Sequence, residues 1–168
     1  MCVIRCRKRE GFTDKDRLKK VFILFFATGA GLGYSPYLPG TLGTLWGVGI
    51  SFFVSTLPPA AGLAAIVTVI AFAVFFAGEA AKILGAEDPG NIVCDEAAGF
   101  TAAAFMIPHS TWGIILVFIL FRIFDILKPF PIGTVERRIP GGAGIVLDDV
   151  LAGIYANISS QIIIRFLL

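Results

Sequence analysis

Two pairs of adjacent acids stand in similar apolar surroundings in this chain. Asp95-Glu96 and Asp148-Asp149 each follow an Ile-Val-x tripeptide and precede an Ala-Gly dipeptide. Carboxylates held close together raise one another's pKa unless a cation binds between them. Hard oxygen ligands with few nitrogens suit Mg²⁺, with Mn²⁺ as the alternative. If the two segments pack together through their small residues, their four carboxylates form a metal site. The competing interpretation is that these are acids at helix N-termini, favoured by the helix dipole.

A third group of ionisable residues recurs at every third position of an apolar segment. Arg122, Asp125 and Lys128 therefore share one face of a predicted helix. Ionisable side chains within apolar helices are functional candidates by default. We interpret Asp125 as a further metal ligand and Arg122 and Lys128 as phosphate-binding groups. The alternative is an Arg122–Asp125 pair within the helix, with Lys128 extending to the membrane interface.

A loop rich in Gly, Pro and Thr at residues 33–44 leads into another helix. Free backbone N–H groups at a helix start favour anions, and the hydroxyls of Thr41 and Thr44 would add donors. The loop is not a P-loop, because no Lys follows its last Gly, and a re-entrant turn in a membrane would look similar. Arg138 is a further candidate for substrate binding. Asp88 and Glu79 are further candidates for metal binding.

The composition indicates an integral membrane protein. The chain of 168 residues is 57% hydrophobic, with a mean hydropathy of +0.86 and only 15% charged residues, against roughly 25% in soluble domains. Residues 1–20 carry eight Lys/Arg and three acids, whereas the rest of the chain carries six and nine. We expect residues 1–20 to form a basic cytoplasmic tail by the positive-inside rule. Residues 21–168 are expected to form a single membrane-embedded catalytic domain.

The apolar runs predict an all-α, polytopic membrane protein with a compact bundle of four or five helices. A short first run is too brief to cross a bilayer and is predicted to be an interfacial or re-entrant element. Pro58-Pro59 is predicted to join two crossing helices in a hairpin. The runs are Val21–Gly33, Leu42–Leu57, Ala60–Ala77, Ala97–Ile107, Trp112–Leu127 and Ile145–Leu168.

Alternating these runs across a membrane, with a cytoplasmic N-terminus, brings the polar residues to one side. Two polar loops, residues 78–96 and 128–144, then face the cytoplasm. The expected location is a bacterial-type inner (cytoplasmic) membrane, crossed several times, with the active site on the cytoplasmic side. The polar residues placed there are Glu79, Asp88, Asp95, Glu96, Asp125, Lys128, Arg137, Arg138, Asp148 and Asp149.

Several sequence blocks in the same order resemble the phosphatidylglycerophosphatase A family, over about residues 27–157. They are Ser35-Pro36…Pro39-Gly40-Thr41…Gly43-Thr44, Asp88…Ile92-Val93…Asp95-Glu96…Gly99, Phe121-Arg122…Phe124-Asp125…Lys128-Pro129…Pro131-Ile132, Arg137-Arg138, Gly141-Gly142…Gly144-Ile145 and Asp148-Asp149…Ala152-Gly153. The resemblance implies a Mg²⁺-dependent membrane phosphatase that converts phosphatidylglycerophosphate to phosphatidylglycerol and phosphate.

The expected mechanism follows from this resemblance and from the residue types. The five acids Asp95, Glu96, Asp125, Asp148 and Asp149 would bind one or two Mg²⁺. Water activated at the metal, or a carboxylate, would attack the terminal phosphorus while Arg122 and Lys128 neutralise the phosphoryl oxygens. The catalytic acids are expected among Asp95, Glu96, Asp125 and Asp149, with no base or nucleophile singled out.

Two rival functions and the expected partners complete the predictions. Buried carboxylates and broken helices also occur in a small ion or metabolite transporter. An alcohol phosphotransferase acting on CDP-linked lipids is disfavoured, because the spaced acid motif of that family is absent. The expected partners are a membrane phospholipid substrate and the lipid bilayer, with no nucleic acid, and the sequence leaves the oligomeric state open.

Overall fold

The computed structural model describes residues 14–86 and 89–167, and every regular element in these ranges is helical. This confirms the all-α class. The described residues contain seven α-helices, more than the four or five predicted, together with a short 3₁₀ helix at Leu32–Tyr34. The helices are α1 (Asp14–Ala27), α2 (Pro39–Ser55), α3 (Pro59–Leu84), α4 (Cys94–Ala103), α5 (Thr111–Leu127), α6 (Ile132–Arg138) and α7 (Gly142–Leu167).

The N-terminal helix α1 begins at Asp14, inside the segment predicted to be a basic tail. It packs against α3, with the Phe22 and Phe26 rings next to Phe76 at centroid distances of 6.0 and 5.1 Å. The 3₁₀ helix follows α1, and the N–H of Val93 donates to the Ala27 carbonyl at 2.9 Å. The end of α1 is thereby fixed next to the start of α4.

The helices α2 and α3 are joined by the predicted turn at Pro58, but they contact each other little along their length. Instead α4 packs between them. Gly47 of α2 allows this close approach, since a Cβ atom there would lie 2.7 Å from the Ala97 carbonyl oxygen. The predicted hairpin therefore exists as a connection and not as a packed pair.

The central helix α4 has ten residues and is about 15 Å long, too short to cross a bilayer. The apolar run at 97–107 therefore does not form a crossing helix, because the helix ends at Ala103. The side-chain amide of Asn157 in α7 donates to the carbonyls of Ala103 and Phe105 at 2.8 and 2.7 Å. These bonds satisfy carbonyls that the end of a helix leaves without partners.

The two predicted polar loops are partly helical. The beginning of the first predicted loop is part of α3, which continues to Leu84 and includes Glu79 in its last turns. The second contains α6, with Arg138 as its last residue. A short segment rich in Pro, Gly and Arg gives little helical signal, which explains why α6 was missed.

The outward faces of the long helices are apolar. Four of them expose large side chains, such as Val67 and Phe72 in α3, Ile119 in α5 and Ile158 in α7. Exposed apolar side chains in this number are typical of a surface that contacts lipid or another protein. Among the described helices of 18 residues or more, α3 is the one that is apolar enough to cross a membrane.

Candidate active site

Three carboxylates meet where α4 begins and where α7 passes it. Asp95, Glu96 and Asp149 each offer one oxygen atom, and these three atoms lie within 4.8 Å of one another. Asp95 and Asp149 are buried, whereas Glu96 is half-buried. The predicted convergence of the two acid pairs therefore occurs, although with three of the four side chains.

Close packing between α4 and α7 brings these acids together. A Cβ atom on Gly99 would lie 2.6 Å from the carbonyl oxygen of Asp149, and a Cβ atom on Gly153 would collide with the Gly99 carbonyl. Only glycine allows the two backbones to approach this closely. The small residues after each acid pair thus have the packing role that the sequence predicted.

The electrostatics of the cluster favour a cation. Burial, followed by the neighbouring charge of Glu96, raises the pKa of Asp95 well above its usual value, and burial also raises the pKa of Glu96. The Oε2 atom of Glu96 is buried without a hydrogen-bond partner among the described residues. A divalent ion would neutralise the carboxylates and satisfy this oxygen. Asp95, Glu96 and Asp149 are therefore able to hold a metal ion.

Arg122 and Asp125 lie on α5 beside this cluster. The Nη1 atom of Arg122 is 2.7 Å from Oδ2 of Asp125, so the intrahelical pair considered above is present. Asp125 is nevertheless close enough to interact electrostatically with both Glu96 and Asp149, and Arg122 interacts electrostatically with Glu96. Asp125 thus borders the three-carboxylate cluster and orients Arg122 next to it.

Lys128 and Asp148 form a separate polar group. The Nζ atom of Lys128 lies 2.7 Å from Oδ2 of Asp148 and 2.9 Å from Oε1 of Glu136 in α6. Burial opposes the charge on Lys128, but its hydrogen bonds to these acids outweigh that effect and raise the pKa of the ammonium group. Asp148, predicted as a metal ligand, is instead the buried partner of a lysine.

The start of α2 forms one wall of the site. A Cβ atom on Gly40 would collide with Oε1 of Glu96 and lie 3.2 Å from Nη1 of Arg122. Thr41, next in the chain, is half-buried at this wall. Thr44 is fully buried, and its hydroxyl donates to the Gly40 carbonyl at 2.8 Å. The donor predicted at Thr44 is therefore engaged within its own helix.

The remaining predicted residues lie outside the cluster. Glu79 pairs with Lys82 on α3 at 2.7 Å and is not part of the three-carboxylate group. Arg138 is exposed and lines an open groove between the end of α3 and the loop after α6. Asp88 lies outside the described residues.

Sequence reasoning missed two residues that shape this region. Glu136 is a second partner of Lys128, in addition to Asp148, but it lies in a segment whose Pro and Gly content predicts a loop. Asn157 fixes the end of α4, and a single Asn in an apolar helix was the signal that could have identified it. Polar side chains in such helices commonly bond to neighbouring helices.

The sequence profile described as Phosphatidylglycerophosphatase A matches residues 25–164. The chain belongs to the phosphatidylglycerophosphatase A family. This membership confirms the resemblance found in the sequence, and the matched segment contains the three-carboxylate cluster, Arg122 and Lys128.

Curated relatives agree with the family assignment. A protein of Escherichia coli (strain K12) named Phosphatidylglycerophosphatase A is 35% identical over 129 residues, covering 76% of this chain and 75% of the relative. A Haemophilus influenzae protein of the same name is 37% identical over 153 residues, covering 87% and 93%. The name describes a phosphoric monoester hydrolase.

A third relative carries a different name. A Bacteroides thetaiotaomicron protein named "Putative phosphatidylinositol-3-phosphatase" is 37% identical over 142 residues, covering 80% of this chain and 89% of the relative. No solved structure matches the chain. The curated relatives of this chain are thus named as phosphatases of two different lipid phosphate monoesters.

Proposed function

We propose that this protein is a Mg²⁺-dependent phosphatase that hydrolyses the terminal phosphomonoester of phosphatidylglycerophosphate, forming phosphatidylglycerol and phosphate. The observation that carries the proposal is the meeting of Asp95, Glu96 and Asp149 beside Arg122. A metal site next to a guanidinium group suits a phosphate substrate. Family membership supports the same chemistry and favours an enzyme over the transporter considered from the sequence.

The donor set suits a hard divalent cation. Asp95, Glu96 and Asp149 would hold the ion, since they supply only carboxylate oxygens, which Mg²⁺ and Mn²⁺ prefer. When bound, Mg²⁺ would neutralise charge on the phosphoryl group and lower the pKa of a water molecule. Asp125 borders the cluster and is proposed to position Arg122, as a neighbour of the ligands.

The protein's own groups would bind and orient the substrate. The guanidinium of Arg122, held by Asp125 at 2.7 Å, would donate hydrogen bonds to two phosphoryl oxygens. The Thr41 hydroxyl at the start of α2 would add one neutral donor. The backbone N–H groups expected there from the sequence are already engaged, because those of Thr41 and Leu42 donate to the Leu38 carbonyl at 3.0 and 3.3 Å. Lys128 and Arg138 would attract the anionic headgroup from the cytoplasmic side.

The proposed setting is the inner membrane, crossed several times. α3 would cross it, and α2 and α5, each with 17 residues, fall at the lower end of the roughly 17–25 residues that suffice. The Sγ atom of Cys94 lies 3.8 Å from the Ala73 carbonyl, near the middle of α3. The carboxylates would therefore lie below the cytoplasmic surface, within reach of a lipid headgroup.

Phosphate release from purified protein tests the proposal. With phosphatidylglycerophosphate in detergent micelles, we expect Mg²⁺-dependent release, and a loss of roughly hundredfold or more in Asp95→Asn and in Asp149→Asn. Asp14→Asn removes a carboxylate from the exposed start of α1 and is the matched control. Wild-type rates in both site variants would contradict the proposal.

The same assay decides which headgroup is preferred. The Bacteroides thetaiotaomicron relative makes a phosphatidylinositol 3-phosphate the natural competitor. We expect a higher kcat/KM for phosphatidylglycerophosphate, in line with the names of the two other relatives. A higher kcat/KM for phosphatidylinositol 3-phosphate would support the phosphatase chemistry but contradict the proposed substrate.

A further inference from the structure

A cavity of about 320 Å³ lies between α1, α2, α3 and the start of α4. Its inner wall contains Val93, Cys94 and Ala97. These residues belong to the same turn of chain as Asp95 and Glu96. The cavity and the proposed active site are therefore two sides of one short segment.

The lining of this cavity is almost entirely apolar. Phe26, Trp46, Ile50 and Phe72 contribute its outer walls. A volume of this size falls at the lower end of the roughly 300–1,000 Å³ typical of ligand pockets. The exposed rings of Phe26 and Phe72 lie at its rim, so the cavity opens sideways onto the apolar outer surface of the protein.

The few polar atoms in the wall are already engaged. The indole N–H of Trp46 donates to the Gly29 carbonyl at 3.1 Å, and the Thr68 hydroxyl donates to the Ala64 carbonyl at 2.8 Å. The thiol of Cys94 is directed at the Ala73 carbonyl. A polar ligand would find no free partner here, because each of these groups is satisfied within the protein. A hydrocarbon chain has no polar groups, so it contacts this wall without burying a group that lacks a hydrogen-bond partner.

We propose that this cavity binds an acyl chain of the phospholipid substrate. The inference rests on the proposed function, because it identifies the chain as belonging to the lipid whose headgroup is hydrolysed. A headgroup at Asp95 and Glu96 and a chain beside Cys94 and Ala97 are close enough to belong to one molecule. Burial of the chain fixes the position of the phosphomonoester and makes the enzyme selective for lipids over water-soluble phosphates.

A variant that obstructs the cavity tests whether an acyl chain binds there. Thr68 lines the cavity with a side chain that is also exposed, so Thr68→Phe places a ring at the cavity mouth. The change removes only a hydrogen bond within α3. Val67→Phe adds the same ring at the neighbouring position, which is exposed on the outer surface and does not line the cavity. The two variants therefore differ in where the ring points.

The first measurement is kinetic. We expect Thr68→Phe to raise KM for a long-chain phosphatidylglycerophosphate roughly tenfold, since displacing two buried methylenes has about that effect. Its rate with the deacylated headgroup, and all rates of Val67→Phe, should match the wild type. An unchanged KM for the long-chain lipid in Thr68→Phe would overturn the proposal.

The second measurement does not depend on catalysis. The chain has two tryptophans, so Trp112→Phe leaves Trp46, in the cavity wall, as the single tryptophan. Phosphatidylglycerol with brominated acyl chains should quench Trp46 saturably in this background and with added Val67→Phe, but several-fold more weakly with added Thr68→Phe. Equal quenching in all three proteins would refute the acyl-chain site. Quenching as expected without any phosphate release would retain the site and reject the proposed function.

Discussion

The ammonium group of Lys128 lies 2.7 Å from the Oδ2 atom of Asp148, whereas the adjacent Asp149 faces Asp95 and Glu96. Successive residues of an α-helix point about 100° apart, so the two acids of this pair face different neighbours. One acid completes the carboxylate cluster. The other fixes a lysine that is also held by Glu136.

The role of Asp148 predicts a rescue experiment. Lys128→Met leaves the buried carboxylate of Asp148 without its partner, and we expect a loss of about 1–3 kcal/mol in the free energy of unfolding. The double variant Lys128→Met/Asp148→Leu removes the unpaired charge and should recover most of that stability. Thermal unfolding in detergent measures both. Phosphatase activity should stay low in the double variant, and full recovery of activity would exclude Lys128 from substrate binding.

The close approach of α4 and α7 predicts strong sensitivity at Gly99. Gly99→Ala forces the helices apart at Asp149, and overpacking of this kind costs about 1–3 kcal/mol. The displaced carboxylate should reduce kcat by roughly tenfold or more. Gly49→Ala is the matched control, because nothing lies within 4 Å of a Cβ atom there. That variant should be as active as the wild type and about 0.5–1 kcal/mol more stable.

The end of α4 depends on one side chain. Asn157→Leu removes both hydrogen bonds to the Ala103 and Phe105 carbonyls, and we expect a loss of about 1–3 kcal/mol in stability. Gln161→Leu, one turn further along α7, removes only the hydrogen bond that the Gln161 amide donates to Oδ1 of Asn157 at 2.8 Å. It leaves both bonds to the carbonyls of Ala103 and Phe105 in place and should lower stability by less than 1 kcal/mol. Similar melting temperatures for the two variants would show that other groups satisfy these carbonyls.

Metal binding should be visible as thermal stabilisation without any substrate. A Mg²⁺ concentration about 100 times Kd should stabilise the wild type by about 2.7 kcal/mol relative to protein in a chelator. Asp149→Asn removes one proposed ligand and should reduce the shift in melting temperature at the same Mg²⁺ concentration, whereas Asp14→Asn should keep it. A wild-type melting temperature that does not respond to Mg²⁺ or Mn²⁺ would argue against a metal at the three carboxylates.

The carboxylate cluster was largely predictable from the sequence. The repeated acid pairs and the small residues after them indicated that α4 and α7 pack together, and the contact of Gly99 with Asp149 confirms it. The all-α class followed from the length and apolar character of the runs. Both signals are local, because residues within one short segment carry them.

Other features depend on contacts between segments distant in sequence. The pairing of Lys128 with Asp148 and Glu136 requires α5, α6 and α7 to meet, and no periodicity indicates that meeting. α4 ends early because Asn157 satisfies its last carbonyls from another helix. The placement of α4 between α2 and α3 likewise follows from Gly47, whose role is clear only once its partner Ala97 is known.

The division of the carboxylate cluster between α4 and α7 has a consequence for biosynthesis. Asp95 and Glu96 are translated well before Asp149, so the nascent chain carries an incomplete carboxylate cluster while α7 is still being made. The two early acids then lack both the third carboxylate and the helix that packs against Gly99. Phosphatase activity should therefore appear late, once α7 has packed against α4. This order of assembly would keep partly synthesised chains from acting on lipid substrates.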